Sequence, residues 1–388
     1  MRPAYNETWL YNLAVIKESK RWMKQKLISQ EQFQKIAEEH KSGFYHPNFI
    51  IRVLLFIAAL FALSGVTGLF TLFVIEIGEK AISIGCILYG VASFIFMKKV
   101  FIESNHHYKS GLTEALLYHA CGFTIGGVMG IVDFNEHVGL FTCFIILSLA
   151  AIRYLDLVCT ILATLSFAGI LFYEFYNFGG VFQQIIPFVF ILAFTPIYFF
   201  VKKIKKKKGL QFWANNLLIV ESLSLLFIYA AGNYLVVREL SVNLMELYLE
   251  EGGDIPFAFI FYSLTVLIPA AYLYFGIVKK DIVLLRVSLI VVAFSVFTFK
   301  YYFSLGHPEI TFTVAGLILL VISIALLNYL KIMRNGFTRE NILAEKWANM
   351  NAEAFIISQT MGGNQVTVKE EFKGGGGSFG GGGATGEY

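Results

Sequence analysis

The chain has 388 residues, of which 57% are hydrophobic and 15% are charged, and its formal net charge is +4. Soluble domains carry roughly 45–50% apolar and about 25% charged residues, so this composition excludes a soluble globular protein and indicates that most of the chain lies in a membrane. The four cysteines lie in separate apolar stretches without a CxxC pair. This placement favours buried apolar side chains over disulfides or metal ligands.

The first 48 residues predict a cytosolic helical module. Apolar side chains are scattered among charges over residues 7–41, and Ser29 followed by Gln32 fits a capping box. We therefore expect two short helices, the second beginning after Ser29. Because this segment has no early apolar run, we expect the first span to act as an uncleaved insertion signal.

Ten apolar stretches follow, each near the length of about 20 residues that a helix needs to cross a bilayer. Only residues 153–156 separate the fourth stretch from the fifth, and we expect a helical hairpin there. The predicted spans are residues 50–75, 81–97, 112–132, 137–152, 156–174, 181–200, 212–231, 256–278, 282–303 and 310–330.

The distribution of lysine and arginine predicts the orientation. With the N-terminus in the cytosol, the basic run KKIKKKK (202–208) falls inside, and the acidic loops 76–79, 133–136 and 238–254 fall outside. The sequence therefore predicts an all-α polytopic membrane bundle of about ten helices over residues 49–331, with both termini in the cytosol. We expect the basic run to touch anionic lipid headgroups and not nucleic acid.

Two cytosolic segments are predicted after the bundle. Residues 332–361 carry a rough apolar stripe and predict an amphipathic helix, and residues 362–388 form a glycine-rich tail that we expect to be disordered. The tail is either inert or a short recognition peptide, in which Phe379 and Tyr388 would contact a partner.

Ionisable side chains deep in a span are candidates for function because their burial in lipid is costly. Glu221 lies mid-span with Ser224 on the same helical face, and Asn215 lies on a neighbouring face that we also expect to point into the bundle. Glu221 is either a proton or cation site or a carboxyl group hydrogen-bonded between helices. Arg286 either extends to the headgroups or pairs with Glu221.

No motif predicts catalysis. Nucleophile, phosphate-loop and dinucleotide patterns are missing from the sequence, and Glu114 and His119 would lie on different faces of one helix, which argues against a metal pair. We predict no catalytic, cofactor-binding or metal-binding residue and no enzymatic activity. The glycine-rich stretch 122–130 indicates close helix packing.

Two functions remain open. Ten spans divide into five plus five, as in the inverted repeats of secondary transporters, and break signals at residues 64–68 and at Pro187 and Pro196 occupy the first and sixth spans. A transporter would use a polar site near Glu221. A non-enzymatic scaffold or regulator of an envelope complex, recruiting partners through its cytosolic ends, is the other hypothesis and the one we favour.

Two resemblances bear on this choice. The stretch that contains Trp22, Leu27, Ile28, Ser29, Glu31, Gln32 and Ile36, followed by spans from Phe49, resembles the bacterial membrane-protein family named domain of unknown function 2157. Residues 378–386 resemble the terminal tails of bacterial membrane proteins with a TPM domain, although that domain is missing here. The resemblances imply a bacterial cytoplasmic-membrane protein and supply no catalytic residues.

Overall fold

The computed structural model describes residues 2–302 except 26, 75, 77, 208 and 246–252, with single positions between 313 and 328. The described part of the chain is helical, with one isolated bridge between Tyr45 and His107 and no named strand. Its twelve α-helices are α1 Glu7–Lys24, α2 Gln30–Glu39, α3 Phe49–Val74, α4 Glu79–Phe96, α5 Leu112–Ile131, α6 Glu136–Tyr154, α7 Leu157–Phe178, α8 Val181–Ile204, α9 Ala214–Gly232, α10 Tyr234–Asn243, α11 Ala258–Val278 and α12 Ile282–Tyr302.

Eight helical segments of the described chain are long and apolar enough to cross a membrane. They carry α3, α4, α6, α7, α8, α9, α11 and α12. Many of their apolar side chains face outward, such as Phe61, which is 77% exposed, and Leu192, which is 76% exposed. Outward apolar surface of this extent fits helices whose solvent is lipid, so the chain is a multi-span helical membrane protein.

Two of the ten predicted spans differ from this set. Helix α5 forms as predicted but carries Glu114, Tyr118 and His119, and it is not among the eight apolar segments. The span predicted at residues 310–330 lies outside the described residues apart from scattered positions, and so do the segments 332–361 and 362–388.

The start of α2 is the predicted capping box. Ser29 Oγ accepts from the Gln32 amide at 3.2 Å, and Gln32 Oε1 accepts from the Ser29 amide at 2.8 Å. Each interaction satisfies a backbone donor that the first helical turn leaves unpaired. The predicted break between the two short helices is thereby confirmed.

The turn between α6 and α7 confirms the predicted hairpin. Leu155 adopts a left-handed conformation with φ 54°, and Asp156 Oδ1 caps α7 by accepting from the Cys159 amide at 2.8 Å. The two helices then pack closely along each other, as do the pairs α4–α5, α8–α9 and α11–α12. The bundle is thus built mainly from antiparallel neighbours.

Glycine permits the closest of these contacts. A Cβ at Gly127 of α5 would lie 2.6 Å from the Ser83 carbonyl oxygen of α4, closer than real Cβ atoms approach. In contrast, a Cβ at Gly126 would meet nothing within 4 Å. The close packing predicted for the glycine-rich stretch is therefore confirmed at Gly127 and does not extend to Gly126.

One local prediction was wrong. Helix α3 runs without interruption through residues 64–68, where a break was expected, because serine and glycine lower helix propensity by about 1 kcal/mol or less each and remove no backbone hydrogen bond. The segment predicted as an outer loop, residues 238–254, begins within a further helix, α10, which the sequence did not predict and which is capped by Asn233. Asn233 Oδ1 accepts from the Val236 amide at 3.2 Å and so allows a second helix to start directly after α9.

Candidate functional site

Most of the buried charged groups lie at one end of the bundle. At this end α3, α5, α7, α9 and α12 begin, and α4, α6, α8 and α11 finish. We call it the polar end. It carries two ion pairs that involve α8, a third that joins α3 to α5, and a hydrogen-bond network around Asp156.

Glu221 forms the most deeply buried of these ion pairs. Its side chain is 3% exposed, and its Oε2 accepts from Lys205 Nζ at 3.0 Å. Lys205 directly follows α8, whereas Glu221 lies about two turns inside α9, so the long lysine side chain reaches down along the helix. Ser224 is fully buried and donates to the Val220 carbonyl of its own helix at 2.7 Å.

The structure excludes one of the two alternatives for Arg286 and contradicts the inward orientation predicted for Asn215. Arg286 does not pair with Glu221, because its side chain lies on an exposed face of α12 and Lys205 occupies the carboxylate. Asn215 is exposed, and the neighbouring Asn216 points inward instead, since one residue rotates the side chain by about 100° around a helix. The predicted set therefore reduces to the buried Glu221 and Ser224.

Asn216 joins α9 to the α6–α7 turn. Its Nδ2 donates to Thr160 Oγ1 at 2.6 Å and to the Asp156 carbonyl at 2.9 Å. On the other side of the turn, Tyr118 of α5 donates to Asp156 Oδ2 at 3.1 Å. The sequence signal for this contact was an asparagine at the start of an apolar stretch. Whether Asn215 or Asn216 points inward depends on the rotation of α9 about its axis, which the sequence does not give.

Lys202 makes the second ion pair on α8. Its Nζ donates to Asp281 Oδ2 at 2.6 Å and to Tyr198 Oη at 2.9 Å. Asp281 also caps α12 by accepting from the Leu284 and Val283 amides. Burial alone would raise the pKa of Asp281, but these hydrogen bonds and the Lys202 charge hold it below its ordinary value.

Arg52 of α3 pairs with Glu114 at the start of α5. Glu114 Oε2 also accepts from the Gly111 amide at 2.8 Å and from Thr113 Oγ1 at 2.9 Å, so the carboxylate closes the first turn of its helix. Burial, and then the charge of Glu114, raise the pKa of the nearby Tyr108 to about 12. The sequence had placed Glu114 at the span edge but not identified Arg52 as its partner.

The chain before α1 is attached to the same end. The Ala4 amide donates to the Arg153 carbonyl at 2.8 Å, and Arg153 Nη1 donates to the Arg2 carbonyl at 2.7 Å. Trp213 Nε1 donates to the Ile152 carbonyl at 2.8 Å. These contacts fasten the N-terminal module and the start of α9 to the α6–α7 turn.

Glu221 is not among the residues that line the following three cavities of the described part of the chain. A groove of about 450 Å³ on the N-terminal module is lined by Tyr11 and Trp22. A cavity of about 470 Å³ lies among α6, α7, α8 and α9 near the polar end. A third, of about 790 Å³, lies between α4 and α5 toward the opposite end, and includes His119, whose buried Nε2 has no hydrogen-bond partner in the structure.

In the part of the chain that the structure describes, no group of three or more His, Cys, Asp or Glu side chains is placed to hold a metal ion. The four cysteines are free thiols. Phe379 and Tyr388, which would contact a partner if the tail is a recognition peptide, lie outside the described residues.

Comparisons of the chain with protein-family models, with curated proteins and with solved structures gave no match. The resemblances of the N-terminal stretch and of the tail to bacterial membrane-protein families therefore stay predictions.

Proposed function

We propose that the chain is a non-enzymatic scaffold or regulator in the bacterial cytoplasmic membrane, and that it recruits protein partners through its cytosolic ends. The observation that carries the proposal is that the buried carboxylates of the polar end form ion pairs between helices. Glu221, Asp281 and Glu114 are each engaged by a basic side chain from another element. Carboxylates held in this way fasten helices together and fix a platform for the N-terminal module.

A surface for a partner is present on that module. Tyr11 is 49% exposed and Trp22 is 43% exposed, and both line the groove between α1, α2 and residues 211–212. Exposed aromatic side chains in a groove are characteristic of contact sites for proteins, because they bury a large area at a low cost in conformational entropy. The tail residues Phe379 and Tyr388 are the second proposed contact.

We also propose ten spans with both termini in the cytosol. Helix α5 supports a ninth crossing: its first turn contacts Arg52 at the start of α3, and Gly127 near its end lies against Ser83 at the opposite end of α4. It therefore runs the length of its neighbours. Residues 310–330 would supply the tenth crossing, and the basic loops would then all face the cytosol.

Capture of partners by the full-length chain in membranes tests the scaffold role. We compare three variants: deletion of residues 362–388, the double substitution Tyr11→Ala/Trp22→Ala, and Glu221→Gln as a control within the bundle. The proposal expects one or both of the first two to lose captured proteins that the control retains. Identical captured proteins in all three would contradict it.

The runner-up function is secondary transport with a site near Glu221. One observation favours it, namely a carboxylate side chain that is 3% exposed in the middle of a predicted span. The Lys205 pair and the uninterrupted α3 favour the scaffold instead. Proton flux into proteoliposomes decides between them: flux that wild type supports and Glu221→Gln abolishes would establish transport, and flux equal to empty liposomes would exclude a proton-coupled role.

A further inference from the structure

The cavity of about 470 Å³ near the polar end is almost wholly apolar. Phe144, Phe167 and Phe194 form its deep part, and Phe194 is completely buried. Its volume lies within the range of roughly 300–1,000 Å³ that small-molecule sites occupy. Ser148 of α6 also lines it, as do Ile204, Leu210 and Trp213.

The connection between α8 and α9 supplies one wall of this cavity. Ile204, Leu210 and Trp213 come from that connection and its flanking turns. The same connection contains the basic run. Two of its lysines, Lys202 and Lys205, are held by Asp281 and Glu221.

Three further lysines of the run, Lys203, Lys206 and Lys207, are exposed beside the cavity wall. An apolar cavity between spans that lies next to exposed positive charges combines two kinds of recognition. Apolar walls fit an acyl chain, because lipid tails are as apolar as leucine side chains and fill space that would otherwise lose dispersion contacts. Lysines beside the end of a span attract anionic headgroups.

We propose that this cavity is a binding site for one anionic phospholipid, with an acyl chain among α6, α7, α8 and α9 and the phosphate headgroup at Lys203, Lys206 and Lys207. The site is more specific than a general attraction of the basic run to the membrane surface. It also does not depend on the scaffold role, since it requires only that these helices lie in a bilayer.

Trp213 lines the cavity and serves as the reporter. The chain has four tryptophans, so substitution of Trp9, Trp22 and Trp347 by Phe leaves Trp213 as the single emitter. The full-length variant is placed in nanodiscs of phosphatidylcholine and phosphatidylglycerol, and bromine is carried on the acyl chains of one lipid at a time. Bromine quenches indole fluorescence at contact distance, so quenching measures which lipid occupies the cavity.

The proposal expects brominated phosphatidylglycerol to quench Trp213 more strongly than brominated phosphatidylcholine at equal mole fraction. The triple substitution Lys203→Gln/Lys206→Gln/Lys207→Gln should weaken this preference by about fivefold for each lysine, which corresponds to roughly 1 kcal/mol per basic residue at an anionic surface. The matched control Lys17→Gln/Lys20→Gln/Lys35→Gln removes three exposed charges from α1 and α2 and should keep the preference.

A second variant tests the cavity itself. Ser148→Phe fills part of the apolar space and should reduce the quenching by both brominated lipids. Equal quenching of Trp213 by the two lipids in the otherwise unaltered single-tryptophan chain would overturn the proposal. A preference that survives Lys203→Gln/Lys206→Gln/Lys207→Gln would overturn it as well, because the proposal places the headgroup at these lysines.

Discussion

The two partners of the Lys205–Glu221 ion pair have different access to water. The side chain of Lys205 is 31% exposed, and that of Glu221 is 3% exposed. If its partner is removed, Lys205 can therefore turn toward the headgroups and solvent. Glu221 would instead remain buried as an uncompensated carboxylate.

This asymmetry predicts unequal effects of the two single substitutions. Lys205→Met should lower the free energy of unfolding by about 3 kcal/mol, the scale seen when a buried ion pair loses one partner. Glu221→Gln should cost about 1 kcal/mol or less, because Lys205 stays partly solvated. Thermal unfolding in detergent checks both values.

The double variant Lys205→Met/Glu221→Gln serves as the control for that pair. It should be more stable than Lys205→Met alone, since the buried charge has been removed. If Glu221→Gln lowered the free energy of unfolding more than Lys205→Met does, the view that Lys205 compensates the buried charge of Glu221 would be contradicted.

Asp281 predicts a dependence of stability on pH. Its pKa lies below the ordinary value in the folded chain, so it contributes stability that is present above the unfolded pKa of about 3.9 and is lost as the pH falls through the folded pKa. Asp281→Asn should be less stable than wild type near neutral pH, and the difference should shrink on acidification. A difference that stays constant down to the acid limit would contradict this.

Single residues also show where sequence reasoning reached its limit. The burial of Glu221 and Ser224 followed from their place in an apolar stretch. The partner of Glu221 could not be predicted in the same way, because Lys205 belongs to a run of lysines that the sequence does not distinguish. Only the position at which α8 ends selects Lys205 from that run. The choice of Asn216 over Asn215 likewise requires the rotation of α9 about its axis.

At the scale of the helices, the packing of α5 against α4 requires a close approach of the two backbones, which glycine allows. A methyl group at Gly127 would collide with the Ser83 carbonyl oxygen, whereas one at Gly126 has open space. Gly127→Ala should therefore destabilise the protein by about 1–3 kcal/mol, as overpacked cores do. Gly126→Ala should be neutral or stabilising, because alanine favours a helix by up to about 1 kcal/mol over glycine.

The two substitutions make the same chemical change at adjacent positions of one helix, so each controls for the other. Apparent melting temperatures in the same detergent provide the measurement. Equal destabilisation by both would show that the α4–α5 contact does not depend on the position of Gly127.

Helix boundaries were predictable where a local chemical signal existed. The Ser29 box and the α6–α7 hairpin depend on residues next to one another, and both were found. The continuity of α3 was not predictable, because serine and glycine within a span weaken a helix without breaking it. The extra helix α10 was not predictable either, because it follows α9 with only Asn233 between them.

At the scale of the whole molecule, the polar end is where the helices, the N-terminal module and the lysine run meet. It joins the starts and ends of helices from both halves of the bundle, and it holds the N-terminal module and the lysine run. The alternation of basic and acidic loops predicted its side of the membrane, but the contacts among Arg52, Lys202 and Lys205 and their carboxylates are long-range and could not be read from loop charges.

The most direct test of our account is the side of the membrane on which the polar end lies. With Cys86, Cys121, Cys143 and Cys159 replaced by alanine, single cysteines are introduced at the exposed positions Lys206 and Glu136 and treated in intact cells with a membrane-impermeant maleimide. Our account predicts that Glu136→Cys is labelled directly and that Lys206→Cys is labelled only after permeabilisation. Labelling of Lys206→Cys in intact cells would contradict it.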